Sequence, residues 1–242
     1  MNFVQRISKF NFCNLGIRHF SVASKTAPQI AALEEQCILV DENDKVVGRA
    51  SKRDCHSLKA NGSLLLHRAF SVFVFNSKNQ LLLQRRSSQK ITFPDCFTNT
   101  CCSHPLYDIP GEREENDALG IRRAAQRRLR HELGIPIEEV SIEDLKYLTR
   151  IHYQANNDGG VWGEHEIDYI LFLHKDVTLL PNPDEVSEVC YIDRNELDSF
   201  INSSVHLTPW FRLIINHNLR LWWDNLSNIT NFIDHSKIHK LQ

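Results

Sequence analysis

The stretch Ile91-Thr-Phe-Pro-Asp-Cys-Phe-Thr-Asn-Thr-Cys-Cys-Ser-His-Pro105 is the part of the sequence around which the chain is organised. It holds three of the seven cysteines, and His104 follows the last of them by two residues. Pro94 and Pro105 prevent a regular helix from running through it. Its hydroxyl, amide, thiol and imidazole side chains favour an active-site loop, and the alternative is a surface loop with incidental thiols.

The overall composition indicates an ordinary globular protein. The chain has 242 residues and a formal net charge of −2, which suits one large domain with an extension and predicts no nucleic-acid partner. No run approaches the roughly 18 apolar residues that a membrane span needs. The odd number of cysteines and the adjacent pair Cys101 and Cys102 predict free thiols. We expect a monomer.

The first 33 residues differ from the remainder of the chain. Their basic residues are Arg6, Lys9, Arg18 and Lys25, and the first acid is Glu34. This bias predicts a mitochondrial transit peptide over residues 1–33 and one domain over residues 34–242. The alternative is a disordered basic tail on a cytoplasmic protein. A peroxisomal address would need Lys-Leu at the very end of the chain, and Gln242 argues against it.

Apolar periodicity predicts the main strands and helices. His67–Phe75 alternates two largely apolar faces, which predicts a buried central strand, and residues 81–84 then return antiparallel. Residues 162–173 predict a long strand, and residues 116–133 a helix with a basic face. Thr208-Pro209 predicts an N-cap and first residue for a last, apolar helix. This order of elements predicts an α+β sandwich in which helices flank a mixed sheet.

Three acids alternate along the predicted strand at residues 162–173. Glu164, Glu166 and Asp168 leave one face, with the Cα atoms of the first two roughly 7 Å apart. Buried together, they would cost several kcal/mol unless a positive group lies between them. A bound metal ion is therefore expected, and the alternative is an edge strand with a polar outer face.

Three histidines could complete a metal site with these acids. His56 lies in a polar, irregular segment at residues 51–63, His67 opens the central strand, and His104 lies in the cysteine-rich stretch. A lone histidine is more often structural than a ligand. Mixed imidazole and carboxylate ligation suits Mn²⁺, Zn²⁺ or Fe²⁺ better than Ca²⁺ or Mg²⁺. Separately, Lys52, Arg86 and Lys90 offer charges that could bind phosphate.

Six phrases occur in order between about Gln36 and the C-terminus. They are Leu66-His-Arg-Ala-Phe-Ser-Val72, Ile91-Thr-Phe-Pro94, Thr98-Asn-Thr-Cys-Cys-Ser-His-Pro105, Arg122-Arg-Ala-Ala-Gln-Arg-Arg-Leu129, Trp162-Gly-Glu-His-Glu-Ile-Asp-Tyr169 and Thr208-Pro-Trp-Phe211. Together they closely resemble the type I isopentenyl-diphosphate Δ-isomerases of eukaryotes. The resemblance implies a Nudix-like fold and the isomerisation of isopentenyl diphosphate to dimethylallyl diphosphate through a tertiary carbocation.

The sequence departs from the Nudix hydrolases in their signature helix. Where the hydrolase pattern ends in Arg-Glu-hydrophobic-x-Glu-Glu-x-Gly, this chain keeps only Glu132 among the acids, and Arg128 and His131 replace glutamates. The hydrolases use those carboxylates to hold Mg²⁺ against a pyrophosphate. Their loss argues against hydrolysis, so a Nudix-type pyrophosphohydrolase is the second hypothesis. A catalytically inactive binding module on the same fold is the third.

The resemblance also implies roles for individual residues. Cys102 is the implied catalytic cysteine, a thiolate whose pKa nearby positive charge would lower, and Glu166 with Tyr153 is the implied acid–base partner. The implied ligands of one divalent metal, Mn²⁺ or Zn²⁺, are His56, His67, His104, Glu164 and Glu166. Glu132 is implied to contribute to a Mg²⁺ on the diphosphate. The implied contacts of the small-molecule diphosphate substrate are Lys52, Arg86, Lys90, Ser103 and, at the isoprenoid end, Trp210.

Overall fold

The computed structural model describes residues 26–156, 160–203 and 205–241. Within these ranges the strands are β1 Gln36–Val40, β2 Val46–Ser51, β3 His67–Phe75, β4 Leu81–Arg86, β5 Phe97–Thr98, β6 Cys101–Ser103, β7 Lys146–Asn156, β8 Gly163–His174, β9 Val186–Ile192 and β10 Ile238–Lys240. The α-helices are α1 Ala27–Ala32, α2 Lys52–His56, α3 Leu119–Leu133, α4 Leu197–Asn202, α5 Pro209–Ile214 and α6 Arg220–Asp224. A π-helical turn, Ile215–Leu219, joins α5 to α6.

The strands form one mixed sheet, in the order β10-β7-β8-β3-β1-β2, with the other four strands branching from it. Strand β3 pairs in parallel with β8 and antiparallel with β6. Every residue of β3 is buried, which confirms the predicted central strand. The predicted antiparallel return holds only for the pair Phe75 and Leu81. Beyond it the Thr100 hydroxyl accepts from Val74 N and donates to Leu82 O, so it separates β4 from β3.

Two hydrophobic cores lie on opposite faces of the sheet. Phe70, Val72 and Val74 of β3 face one core, which contains the apolar side of α3. Phe73 and Phe75 face the other core, which contains the aromatic residues of α5 and α6. The period-two alternation of β3 therefore separates the two helical layers. This arrangement confirms the predicted α+β fold, in which helices flank a mixed sheet.

The helix that was expected to begin at residue 116 begins later. Asp117 and Ala118 have φ of 48° and 51°, so they interrupt the helical backbone and α3 begins at Leu119. Gly134 ends α3 in the left-handed region, at φ 65°, as its position after the last apolar residue suggests. The basic face of α3 is only partly solvated, because Arg128 is buried.

The packing of Gly120 in α3 gives a testable prediction about stability. A Cβ atom at this position would lie 2.3 Å from Glu112 O and 2.8 Å from Glu114 O. Ala favours a helix over Gly by about 1 kcal/mol, but forced overpacking costs typically about 1–3 kcal/mol. Since the obstacle is backbone only 2.3 Å away, we place the cost at the upper end of that range, at about 2–3 kcal/mol. After the helix gain, we expect Gly120→Ala to lower the free energy of unfolding by about 1–2 kcal/mol in urea titrations.

Gly111 is a matched control for this substitution. The nearest atom to a Cβ there is Arg123 Nη1 at 3.4 Å, at the end of a flexible side chain. Gly111→Ala should therefore change the free energy of unfolding by no more than about 0.5 kcal/mol. If Gly120→Ala were as stable as the wild type, the prediction would be wrong, because the backbone of residues 112–114 would then move away from the new methyl group at little cost.

The cysteine-rich stretch, which was expected to be a loop, is largely buried and contains two short strands. Strand β6 places Cys102 opposite Ser71, and β5 pairs with β4. Between them Asn99 donates to Val72 O at 3.1 Å and to Cys101 O at 2.9 Å. These bonds replace sheet ladder bonds, so a segment without strand-like alternation can still join the sheet.

Helix α5, which begins at the predicted position, docks on this stretch. Thr208 is the N-cap residue and Pro209 the first residue of α5, as predicted, but the Thr208 hydroxyl lies 2.8 Å from the Thr98 hydroxyl and makes no capping bond. Trp210 Nε1 donates to Asn99 Oδ1 at 3.2 Å. The start of α5 is therefore fixed to the turn that precedes Cys102.

Helix α1 lies within the predicted leader. Its Gln29 is buried and donates to Glu185 Oε1 at 3.1 Å, so residues 27–32 pack on the domain. The basic residues at positions 6, 9, 18 and 25 lie outside the described residues, and the transit peptide stays a prediction. No helix in the described ranges combines the length and apolar character that crossing a membrane requires.

Candidate active site

One cavity of about 400 Å³, counted with its open mouth, brings together most of the candidate residues. Its lining includes Lys52, His56, Arg86, Lys90, Cys102, Ser103, His104, Tyr153, Glu164, Glu166 and Trp210. His67 has no exposed surface and lies behind this lining. Glu132 is also buried, but it faces a different group of side chains. Residues far apart in sequence therefore converge on a single site.

The strand register explains why these side chains meet. Strand β6 pairs with one edge of β3 and places Cys102 opposite Ser71. Strand β8 pairs with the other edge and places Glu166 opposite His67. Because His67 and Ser71 are four residues apart in β3, they share a face. Cys102 and Glu166 thus reach the cavity from opposite edges of one strand.

His56 reaches the same site from a short helix. The segment expected to be irregular forms α2 because the Ser51 hydroxyl accepts from Asp54 N at 3.1 Å and caps the helix. The first and last residues of α2, Lys52 and His56, both line the cavity.

Three imidazoles and two carboxylates form a buried group that could hold a metal ion. One ligand atom from each of the five lies within 4.8 Å of all the others, and the members are His56, His67, His104, Glu164 and Glu166. The three imidazole rings form a nearly equilateral triangle, with centroids 4.9, 4.9 and 5.0 Å apart. The convergence that sequence separation left open is therefore present.

Unpartnered ligand atoms support this assignment. His67 Nε2 and Glu164 Oε2 are buried without a hydrogen-bond partner, although Glu166 Oε1 lies 3.4 Å from the former. His67 Nδ1 lies 2.9 Å from Leu65 O, which leaves Nε2 free to face the centre of the group. A metal-binding histidine commonly has its second nitrogen held in this way. The residues present therefore fit a divalent cation.

Burial and close contact shift the pKa values of this group strongly. Burial would lower the pKa of His67, but contact with Glu166 raises it to about 9, so these two groups compensate each other's charge. Burial raises the pKa of Glu164 to about 8 and lowers the pKa of His104 to about 3. Burial would also raise the pKa of Glu166, but His104 and His67 hold it well below its usual range. A cation at the centre would favour the ligating forms, with carboxylates ionised and imidazoles neutral.

Glu166 is also bonded to Tyr153, which is opposite it in the pairing of β7 with β8. The Tyr153 hydroxyl donates to Glu166 Oε2 at 2.5 Å, and His104 Nε2 lies 2.9 Å from Glu166 Oε1. Both carboxylate oxygens therefore have a partner. Asp168, the third acid on the face, lies outside the metal group and accepts from the Ser71 hydroxyl at 2.8 Å.

The thiol of Cys102 is close to a cation but remains protonated. Arg86 Nη1 donates to Cys102 Sγ at 3.7 Å. Burial nevertheless raises the pKa of Cys102 to about 12, against the opposite effects of Arg86 and Lys90. The expectation that nearby positive charge lowers this pKa is therefore wrong, because desolvation of the thiolate outweighs the attraction.

Cations and aromatic rings form the remaining walls. The Arg86 guanidinium is held by Thr92 O at 2.8 Å and lies 5.5 Å from the centroid of the Trp210 ring. Trp210 also packs near Tyr153, with ring centroids 6.3 Å apart. Lys90 Nζ donates to Glu185 Oε2 at 2.5 Å. The cavity therefore has a cationic side and an aromatic side.

The acid retained in the signature helix has other partners. Glu132 accepts from Arg128 at 2.6 Å and from Gln84 at 3.0 Å, and Cys101 Sγ lies 3.5 Å away. Its part in a Mg²⁺ site stays a prediction. Arg128 and His131, which replace hydrolase glutamates, lie 3.4 and 3.3 Å from Glu185. Reasoning from sequence missed Glu185 because it follows a Pro-rich loop and belongs to no motif.

Comparison with known proteins agrees with this geometry. The NUDIX domain family profile matches residues 65–211. A solved Deinococcus radiodurans structure shares the fold with a TM-score of 0.51 at 20% identity, covering 76% of this chain and 99% of that one. At that identity the similarity concerns the fold alone.

Curated relatives are much more similar. Isopentenyl-diphosphate Delta-isomerase 1 of Mesocricetus auratus is 56% identical over 217 residues, which cover 88% of this chain and 95% of that protein. The chloroplastic isopentenyl-diphosphate Delta-isomerase I of Arabidopsis thaliana is 49% identical over 245 residues, with 94% and 84% covered. The chain therefore belongs to the isopentenyl-diphosphate Delta-isomerase family and has the Nudix fold.

Proposed function

We propose that the protein converts isopentenyl diphosphate to dimethylallyl diphosphate. The observation that carries the proposal is the placement of Cys102 and Glu166 on opposite edges of β3, around one cavity with a cationic side and an aromatic side. The double-bond shift needs a proton added at one carbon and another removed two carbons away. Two proton-transfer groups that reach one substrate from two directions suit this reaction.

The residues around Glu166 suit proton transfer at one end of the alkene. Tyr153 and His104 each bind one of its carboxylate oxygens, so the carboxylate is held in a fixed orientation. Cys102 carries its proton on the other side of the cavity. A proton can thus be delivered from one side and removed from the other while the substrate stays in place.

The aromatic side of the cavity suits the intermediate between the two proton transfers. Trp210 is only 3% exposed, and Tyr153 only 2%, so both rings exclude water from the site. An indole face also attracts a cation, by about 2 kcal/mol or more when desolvated. The tertiary carbocation would therefore be shielded and stabilised where it forms.

The cationic side suits the diphosphate. Lys52, Arg86 and Lys90 line the cavity together, and Arg86 is pre-positioned by Thr92 O and Phe93 O. We infer that a Mg²⁺ accompanies the diphosphate, with Glu132 contributing to it. Most acids of the hydrolase helix are absent, and this supports binding the diphosphate without cleaving it.

We infer that His56, His67, His104, Glu164 and Glu166 hold one divalent cation. This mixed nitrogen and oxygen ligand set suits Mn²⁺ or Zn²⁺. When bound, the cation would act as a Lewis acid that stabilises the ionised form of Glu166 and tunes its proton affinity. We also propose that the protein is a monomer and that it is directed to mitochondria.

A turnover assay tests the proposed function. The full chain would receive isopentenyl diphosphate and Mg²⁺, with the isoprenoid products separated and free phosphate counted. We expect dimethylallyl diphosphate and no phosphate. Removing divalent metal with a chelator should abolish turnover, and Mn²⁺ or Zn²⁺ should restore it. Phosphate release without the isomer would reject the proposal in favour of pyrophosphate hydrolysis.

A further inference from the structure

Glu185 is a buried carboxylate, outside every sequence motif, that contacts a residue of the cationic side. It lies directly before β9 and is 6% exposed. Its oxygens accept from Lys90 Nζ at 2.5 Å and Gln29 Nε2 at 3.1 Å. Arg128 Nη2 and His131 Nε2 lie 3.4 and 3.3 Å from the same carboxylate. Four donors from three segments of the chain therefore converge on one acid.

The backbone around Glu185 is fixed at both ends. Ser87 N donates to Glu185 O at 3.0 Å, and Lys90 N donates to Ser87 O at 3.1 Å. The turn that contains Lys90 is therefore hydrogen-bonded to the backbone of Glu185. On the other side, Leu180 N and Asn182 N donate to the carbonyls of Leu133 and Glu132 at the end of α3. The position of the carboxylate is therefore set by the end of α3 and in turn sets the position of the Lys90 turn.

Lys90 needs such a partner because of where it lies. It is 7% exposed and lines both the main cavity and an adjoining one of about 300 Å³, whose lining includes Gln29 and Ala32 of α1 and the next residue, Leu33. Burial lowers the pKa of Lys90, and Glu185 opposes that shift. A buried ammonium without a counter-charge tends to lose its proton or turn toward solvent.

We propose that Glu185 is a positioning residue for diphosphate binding. Its carboxylate holds the Lys90 ammonium at the cavity and also binds Gln29 of helix α1. This inference rests on the proposed function, because it takes Lys90 as a diphosphate contact. The negative charge of Glu185 does not repel the substrate appreciably, since Lys90, Arg128 and Gln29 surround it. The ligand class is therefore a diphosphate, and Glu185 acts on its affinity and not on proton transfer.

Glu185→Gln tests the proposal, because glutamine keeps the shape and removes the charge. We expect the Kd for inorganic pyrophosphate with Mg²⁺, measured by calorimetry, to rise about tenfold, which is about 1.4 kcal/mol. The KM for isopentenyl diphosphate should rise similarly, while kcat stays within about threefold. The matched control is Glu188→Gln, whose carboxylate lies on the surface 4.0 Å from Arg85, and it should leave both constants unchanged.

A double-mutant cycle separates positioning from a general structural role. If Glu185 acts through Lys90, the Glu185→Gln and Lys90→Gln double variant should bind pyrophosphate no more weakly than Lys90→Gln alone. Additive losses would overturn the proposal, as would an unchanged pyrophosphate Kd in Glu185→Gln. If Glu185→Gln fails to fold, Glu185→Asp keeps the charge but moves it, and it should show the same rise in Kd.

Pyrophosphate binding keeps this test separate from the test of the function. A wild-type protein that binds pyrophosphate but does not isomerise isopentenyl diphosphate would reject the proposed function, and the Kd comparison would still decide the role of Glu185. A wild-type protein that binds no pyrophosphate would overturn the role of Glu185 directly.

Discussion

Replacing Cys102 with alanine should reduce kcat by about 10³-fold, which lies within the 10²–10⁴-fold that a positioned acid or base typically contributes. The thiol lies inside the cavity, 3.7 Å from Arg86, and no other thiol belongs to the described lining. Alanine removes the transferable proton and leaves the backbone pairing of β6 with β3 intact. The KM should change little, because Thr92 O and Phe93 O still hold the Arg86 guanidinium when the thiol is removed. Steady-state kinetics with isolated dimethylallyl diphosphate would measure both constants.

Cys101→Ala is the matched control for this variant. Cys101 is adjacent in sequence, but it packs in the core on the opposite face of the sheet, and its thiol faces Glu132. We expect its kcat to stay within about threefold of the wild type. A Cys102→Ala protein with nearly full kcat, and with a normal melting temperature, would remove Cys102 from the mechanism.

Replacing Glu166 with glutamine should have an even larger effect, because it removes an acid–base group and a metal ligand together. We expect kcat to fall below about 10⁻³ of the wild-type value. Changes outside the ligand shell already weaken metal binding by about 10–100-fold, so loss of a direct ligand should exceed about 100-fold. Glutamine also offers a single oxygen, whereas the carboxylate presents one oxygen to Tyr153 and the other to His104. Elemental analysis after dialysis would report bound metal independently of turnover.

Asp168→Asn is the matched control for metal content. It is the next acid on the same face of β8, but it lies outside the five-residue metal group and is bonded to Ser71. It should retain metal as the wild type does. If Glu166→Gln retained its metal fully while Asp168→Asn lost it, the assignment of ligands along β8 would have to move by two residues.

Much of the fold could be predicted from local patterns. The alternation in His67–Phe75 places one set of side chains in each of two cores, and the structure has this division. Gly134 ends α3, as a glycine directly after the last apolar residue of a helix indicates. The path of β4 could not be predicted, because it depends on the Thr100 hydroxyl from a distant segment. Nor could the start of α3, which depends on left-handed backbone at Asp117 and Ala118.

For the candidate site, too, local sequence patterns indicated some residues, whereas features that depend on distant segments could not be predicted. Residue type and spacing indicated the acids of β8 and the cysteine-rich stretch, and the family resemblance completed the set. The pKa direction of Cys102 was wrong because charge is visible in a sequence, whereas desolvation depends on the folded surroundings. Glu185 was missed because the four donors around it come from segments that are distant from it in the sequence.

The register of β8 limits how this protein can evolve in length. Glu166 faces His67 on one neighbouring strand and Tyr153 on the other, so the alternation of side chains along β8 is fixed from both sides. Deleting or inserting one residue just before Glu166 would turn the acids toward the opposite core and bring a neighbour such as His165 into the cavity. We therefore expect one-residue insertions and deletions to be tolerated in the loops at its ends and not within the strand.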